Sequence, residues 1–287
     1  MAPSLGYISP MEHDDTAAAE AKITTSGATA SEAVGEGSPF EILNPDGVSA
    51  YVFNCDHASG RIPDLYGHLG LDDAVLGRHI AWDIGAADVT RRLSAHLDAV
   101  AVFSGFSRLL IDCNRQTDHP TLIPPISDGV IIPGNVDIPA ADRAARIERY
   151  FDPYHRALDG VLDSAVEARV PALVSVHSFT PIMDGYERPW HIGVLWNRDP
   201  RLAKALITQL RMNTDLEVGE NEPYSGRDMA GFSIHHHGGG RGIPHLLIEL
   251  RQDLIDTHHG AEVWANRLGL ALVALGQQRD LFTIEHF

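Results

Sequence analysis

Three apolar runs of this chain end in, or enclose, side chains that bind metals or move protons. The first runs into Asn54-Cys55-Asp56-His57-Ala58-Ser59-Gly60, and the second into Ser175-Val176-His177-Ser178-Phe179. The third holds Ile248-Glu249-Leu250-Arg251. Imidazole nitrogens are common zinc ligands, and a catalytic zinc takes about three protein ligands and keeps one position open for water. A carboxylate outside the ligand set can take the proton from that water. His57 and His177 are therefore candidate ligands, and one further ligand would complete the set. With 16 histidines in the chain, most must be structural. These two stand out because they sit at strand ends. Glu249 is the sharper signal, because an acid inside His245-Leu246-Leu247-Ile248-Glu249-Leu250 is costly to bury unless paired or functional. An ion pair with Arg251 or another arginine is the plain alternative.

A fourth segment, Ser107-Arg108-Leu109-Leu110-Ile111-Asp112-Cys113-Asn114-Arg115, places Arg108 and Arg115 on either side of a short apolar run. Guanidinium groups hold carboxylates with two parallel hydrogen bonds. An exposed loop arginine is the competing reading of Arg115.

Positioning such groups requires a scaffold, and the hydrophobic pattern supplies one. Ala50 to Asn54, Val100 to Phe103, Leu109 to Ile111, Ala172 to Val176, His191 to Trp196 and His245 to Leu250 read as strands. Ile84 to Leu97, Leu202 to Leu210 and the series Trp264, Leu268, Leu272, Leu275 read as helices. A further helix carries Tyr154, Leu158, Val161, Leu162 and Ala165, with Asp152 as N-cap and Pro153 at its first position. Strands alternating with helices imply an α/β fold with a largely parallel sheet. Such sheets place their sites at the carboxyl ends of strands. Residues 1–38 are rich in Ala, Ser, Thr, Gly and Glu and lack an apolar period, so a disordered tail is expected there. Residues 39–287 are expected to form a single catalytic domain.

Composition narrows the function. The 22 Lys and Arg residues against 39 Asp and Glu leave a net charge of -17, which opposes nucleic acid as a partner. The chain has no apolar run long enough to span a membrane and no secretory leader pattern, and its two cysteines make no disulfide framework. A reducing cytoplasm fits this pattern. An acidic protein with an anionic substrate must build a local positive site from arginines or a metal ion.

Taken together, several of these segments form a familiar set. Asp56-His57-Ala58-Ser59-Gly60, Trp82-Asp83-Ile84-Gly85-Ala86, Asp112-Cys113-Asn114-Arg115, Val176-His177-Ser178-Phe179-Thr180-Pro181, Gly219-Glu220-Asn221-Glu222-Pro223-Tyr224-Ser225-Gly226 and Ile248-Glu249-Leu250-Arg251-Gln252-Asp253-Leu254-Ile255 resemble the N-formylglutamate amidohydrolase family, in order, over roughly residues 40 to 275. That family is similar to the zinc carboxypeptidases. The resemblance implies a three-layer α/β fold with a mostly parallel mixed sheet and helices on both faces. It also implies a zinc ligand at His177, carboxylate binding at Asn114 and Arg115, and a general base at Glu249. One departure stands out. Carboxypeptidases place two ligands in His-x-x-Glu, whereas His57 here precedes Ala58, Ser59 and Gly60.

The third ligand must then come from elsewhere, and Asp83 is the candidate, with a helix N-cap as its alternative role. Asp56 and Cys55 are weaker: strand neighbours such as Asp56 and His57 point to opposite faces, and a buried cysteine is more often core. His235-His236-His237-Gly238-Gly239-Gly240 could be a metal tract, but its glycines favour a surface loop able to close over substrate. Tyr224 and Arg227 could reach the same cleft. The expectation is a single zinc on His57, His177 and Asp83, with Glu249 as base, Arg115 on a substrate carboxylate and Arg108 beside the developing oxyanion. The substrate is then a small N-acyl amino acid, N-formyl-L-glutamate by resemblance. Another N-acyl amino acid deacylase, a carboxypeptidase, or a non-catalytic metal- or ligand-binding module are the alternatives.

Overall fold

The computed structural model describes residues 37–227 and 231–287, so the expected N-terminal tail lies almost wholly outside the described residues. Seven strands form one sheet: β1 (Phe40–Leu43), β2 (Tyr51–Cys55), β3 (Val100–Ser104), β4 (Ala172–Phe179), β5 (Ile192–Leu195), β6 (Val218–Glu220) and β7 (His245–Arg251). Their spatial order is β1-β3-β2-β4-β7-β5-β6. The pairings β3 with β2, β2 with β4, β4 with β7 and β5 with β6 are parallel, while β1 with β3 and β7 with β5 are antiparallel. The mostly parallel mixed sheet that the pattern predicts is therefore present.

Side-chain alternation sends each strand's residues into two different surroundings. On one face, Phe53, Ala101, Val174, Val194 and Ile248 pack under the helices α1 (Ala86–Leu97), α3 (Arg201–Arg211) and α4 (His258–Gly276). On the other face, Val52, Val102 and Leu173 pack against α2 (Asp152–Ala168) and the segment holding Phe106 to Ile111. Helices thus cover both faces. This second core stops short. Further along the same face the strands present Asn54 on β2, Ser175 and His177 on β4, and Leu247 and Glu249 on β7. The candidate site occupies that gap, at the carboxyl ends of the parallel strands.

Three expectations need correction, and two strands went unread. Leu109 to Ile111 is a turn rather than a strand: the Ser107 hydroxyl accepts from the Leu109 N–H, and the Ser107 carbonyl accepts from Leu110. Asp152 does not cap a helix start, because helical backbone runs in from Ala140–Arg146 through a wide π-type turn at Ile147–Phe151. His235 to His237 lie in a second wide helical turn, Ile234–Gly239, with His237 fully buried, so this is not a surface loop. The short strands β1 and β6 escaped the pattern because four and three residues are too few to show a period.

Gly85 joins the strand-end loop to α1 with φ of 79°, a conformation that costs glycine little. A Cβ here would also collide with the Ile255 backbone carbonyl. Gly85→Ala should lower stability by about 2 kcal/mol or more, combining a left-handed backbone penalty with a backbone clash. Urea unfolding checks this; a loss under roughly 0.5 kcal/mol would show that the close approach relaxes freely.

Candidate metal centre and catalytic cleft

His57 and Asp83 come from loops that follow β2 and precede α1, and His177 comes from β4. The Asp83 N–H donates to the His57 carbonyl at 3.0 Å, which ties these two loops together. Asp83 does not cap α1, whose N-cap is Gly85. Instead its Oδ2 lies 2.9 Å from His177 Nδ1 and 3.4 Å from His57 Nδ1. The two imidazoles stand edge to face with centroids 4.9 Å apart. One ligand atom from each of His57, Asp83 and His177 falls within 4.8 Å of the others, and all three residues are buried.

The far sides of both rings are held by carboxylates. His57 Nε2 is 2.7 Å from Asp112 Oδ1, and His177 Nε2 is 3.1 Å from Asp56 Oδ2. A carboxylate on one ring nitrogen fixes the tautomer and turns the other nitrogen outward as a ligand, an arrangement typical of metal-binding histidines. Here both Nδ1 atoms turn toward Asp83. The chain thus offers two nitrogens and one carboxylate oxygen, the donor set of a three-ligand zinc site.

Three carboxylates buried together demand partners. Burial alone would raise the Asp56 carboxyl, but hydrogen bonding to His177 outweighs it and holds the group below the usual carboxylate range. Asp56 Oδ1 also accepts from Ser233 Oγ and Tyr154 OH, both at 2.7 Å, and from Asn54 Nδ2 at 3.0 Å. Burial likewise works against ionised Asp83 and Asp112, and the neighbouring side chains outweigh it at both: His57 and His177 at Asp83, Arg108 first at Asp112. Arg108 spans the two, 2.9 Å from Asp112 Oδ2 and 3.5 Å from Asp83 Oδ1. His177 feels the converse. Burial disfavours its charged form, yet hydrogen bonds to Asp56 and Asp83 hold its pKa up at about 10. A proton on Nδ1 occupies the place a cation would take, so metal and proton compete for this atom.

Glu249 sits beside His177 in the β4–β7 register and has no ion-pair partner among the described residues. Its Oε2 is buried without a hydrogen bond, and burial pushes its pKa up to about 7. Arg251, the alternative partner, reaches Asp253 instead. His57, Asp83, Arg108, His177 and Glu249 open onto one cavity of about 530 Å³ that is also lined by Asn114, Arg115, Tyr224 and Glu222. Arg115 Nη1 donates to the Asn114 carbonyl at 2.9 Å, which sets its guanidinium at the cavity wall. The Asn114 side chain is engaged within the protein, where its Oδ1 accepts from the N–H groups of Phe232 and Ser233. Tyr224 OH accepts from Arg188 at the rim. Arg227 is not on the cavity wall; its guanidinium lies over the Trp196 ring, 4.8 Å from the centroid.

These residues and this fold belong to a recognised group. The family model of N-formylglutamate amidohydrolases matches residues 49–256. The chain belongs to this family. None of the curated proteins matches it. Among solved structures, it is similar to the gene product Atu2144 from Agrobacterium tumefaciens, with 35% identity, a TM-score of 0.80, and coverage of 83% of this chain and 96% of that one. It is also similar in fold to an N-formylglutamate amidohydrolase from Ralstonia eutropha JMP134, with 20% identity, a TM-score of 0.57, and coverage of 84% and 98%. As an amidohydrolase-family member with an α/β fold, the chain is placed among enzymes that act on amides. No helix of the described residues is long and apolar enough to cross a membrane.

Sequence reasoning weighed Asp56 only as a weaker ligand and gave Asp112 no role, so it missed both as the acceptors behind His177 and His57. The signal was available: a metal-binding histidine wants an acceptor behind it, and each of these acids lies in a motif already of interest. Cys55 and Cys113 are buried with thiols raised by burial, as core cysteines are. The histidine tract proves to be a brace. His155 Nε2 donates to the Cys113 carbonyl at 3.0 Å, which leaves its Nδ1 to accept from His237 Nε2 at 2.9 Å. His237 Nδ1 faces Asp159, where Arg241 also binds. With that guanidinium on Asp159 and both His237 nitrogens engaged, Asp159, His237 and His155 make a hydrogen-bonded strut to the Cys113 carbonyl, next to Asn114.

His155 gives a pH-dependent stability. Burial and the neighbouring His237 lower its pKa from 6.5 to about 3, so the folded protein keeps it neutral. An unfolded chain takes up a proton near pH 6.5 that the folded chain refuses until about pH 3. This contribution is therefore intact above pH 6.5 and is lost as pH falls from there toward 3, at up to about 1.4 kcal/mol per unit. Urea midpoints at pH 7.5 and 5.5 should diverge less for His155→Gln than for the parent. Equal divergence would remove His155 from the account.

Proposed function

We propose that the chain is a metal-dependent amidohydrolase that cleaves the acyl–nitrogen bond of an N-acyl amino acid, N-formyl substrates foremost. The observation that carries this reading is the buried carboxylate of Glu249, whose Oε2 has no hydrogen-bond partner among the described residues, on the same cavity wall as His57, Asp83 and His177. A buried acid without a partner is disfavoured, and a base poised near neutrality is what proton transfer needs. Zinc is the cofactor that this donor set suits best, held by His57, His177 and Asp83. When bound, a zinc ion acts as a Lewis acid toward an acyl oxygen and lowers the pKa of water.

The protein's own groups do the rest. Glu249 takes the proton from the attacking water and returns it to the departing nitrogen, so one carboxyl group serves both halves of the reaction. Arg115 holds the substrate carboxylate, which places the scissile amide between it and the base. Arg108, fixed by Asp83 and Asp112, presents its positive charge at the wall where negative charge develops on the acyl oxygen. Asp56 and Asp112 keep the imidazoles aimed. The N-formylglutamate resemblance supplies the first substrate to test, with formate and glutamate as products.

Glu249→Gln should retain zinc at one equivalent per chain yet lose at least about 10³-fold in kcat, the upper part of what a general acid–base group contributes. Turnover at the parental rate in that variant would remove Glu249 from the chemistry. Asp56→Asn should weaken zinc binding by about 10- to 100-fold, measured by competition with a chromogenic chelator. Unchanged affinity would show that the acceptor behind His177 has no bearing on the site. A chelator should abolish hydrolysis and added zinc should restore it; activity that survives complete metal removal would overturn the metal-dependent reading.

A further inference from the structure

The cavity has two unlike walls. One carries the charged groups described above. The other is made of Leu195, Ile234 and Leu247, which pack on one another as a cluster separate from both sheet cores. Leu247 and Glu249 are alternate residues of β7, so they share a face about 6.6 Å apart along the strand. Leu195 pairs with Leu247 across the β5–β7 ladder. The apolar wall therefore begins one side chain from the base. A substrate anchored through its carboxylate at Arg115, with its amide beside Glu249, lays its remaining atoms there.

A glutamate side chain would set a second carboxylate against that wall, which offers it no cation. Arg108 already spans Asp112 and Asp83. Arg227 lies over Trp196, away from the cavity. His235, on the lining, has its pKa lowered by burial and is neutral near pH 7. Glu222 adds a carboxylate to the same lining. The three residues between Arg227 and Gly231, which lie outside the described set, are Asp228, Met229 and Ala230 and include no basic side chain. A carboxylate desolvated without a partner is strongly disfavoured, whereas an aliphatic side chain gains by leaving water.

We infer that this site selects N-acyl amino acids with an apolar side chain, of leucine or methionine type, over N-acylglutamate, and that Leu195, Ile234 and Leu247 form the selecting wall. The inference rests on the amidohydrolase reading of the same site. The test is kcat/KM of the zinc-loaded full chain on N-formyl derivatives of leucine, methionine, glutamine, glycine and glutamate. Formyl-leucine and formyl-methionine should exceed formyl-glutamate by roughly ten-fold or more. Formyl-glutamate equal to or above them overturns the inference and leaves the amidohydrolase reading standing. Hydrolysis of none of the five overturns both. Leu247→Ala should reduce the ratio of formyl-leucine to formyl-glycine turnover by roughly ten-fold. Calorimetry on the parent protein gives a readout independent of turnover and of how the variant folds: 4-methylpentanoate should bind more tightly than glutarate, and the reverse order would overturn the selectivity.

Discussion

The constraint from which the rest of this structure follows is the burial of three carboxylates around two imidazoles. Asp56, Asp83 and Asp112 are each almost wholly removed from solvent. Ionised carboxylates in such a place are tolerable only when cations and hydrogen-bond donors surround them. The fold meets that demand from many directions at once. Asn54 and Ser175 come from neighbouring strands, Tyr154 from a helix on the polar face, and Ser233 from the turn that follows the strand-rich core. Arg108, from the turn after β3, supplies the countercharge to Asp83 and Asp112. Because the donors come from elements far apart in sequence, the site can form only when the sheet, α2 and the 231–241 segment are all in place.

This arrangement also explains which groups are poised for chemistry and which are not. Every acid in the cluster that has a partner is held ionised, and the one that lacks a partner, Glu249, is held near neutrality. Two environments on one cavity wall thus separate acids held ionised from one whose pKa burial raises to about 7. The strand alternation that puts Glu249 on the same face as Leu247, and opposite the apolar face of Ile248, makes the division stable.

Much of this was legible in the sequence. His57, His177 and Glu249 were found because each interrupts or ends an apolar run, and Asp83 because the missing His-x-x-Glu left a third ligand to be sought; the structure brings all four to one cavity. The strands and long helices were legible for the same reason: periodicity survives wherever a face is buried. What was not legible depended on contacts across the chain. Strand alternation argued against Asp56 acting beside His57, but the strand ends at Cys55 and the alternation ends with it. The chain then turns, so Asp56 can hold His177 from behind while His57 points into the cleft. The glycines after His237 suggested mobility; instead Gly238 is buried because the His245 side chain packs where a Cβ would stand. Leu109 to Ile111 looked like a strand because burial on all sides gives an apolar run in a turn as readily as in a sheet.

Net charge connects the site to its surroundings. At -17 the protein repels anions at long range, and a dianion is repelled about twice as strongly as a monoanion. Salt screens that repulsion beyond about 8 Å, but not within a partly enclosed cavity. The local answer to an acidic exterior is a small positive zone, and most of the cationic charge there is committed to holding Asp83 and Asp112 in place. Among the described residues, the arginines on the cavity lining are Arg108 and Arg115. A second carboxylate would meet the outer repulsion, Glu222 on the lining and an aliphatic wall, with no cation beyond those two arginines among the described lining residues. The same scarcity of positive charge that leaves Arg108 bound to two buried acids therefore limits how much negative charge the cavity can receive.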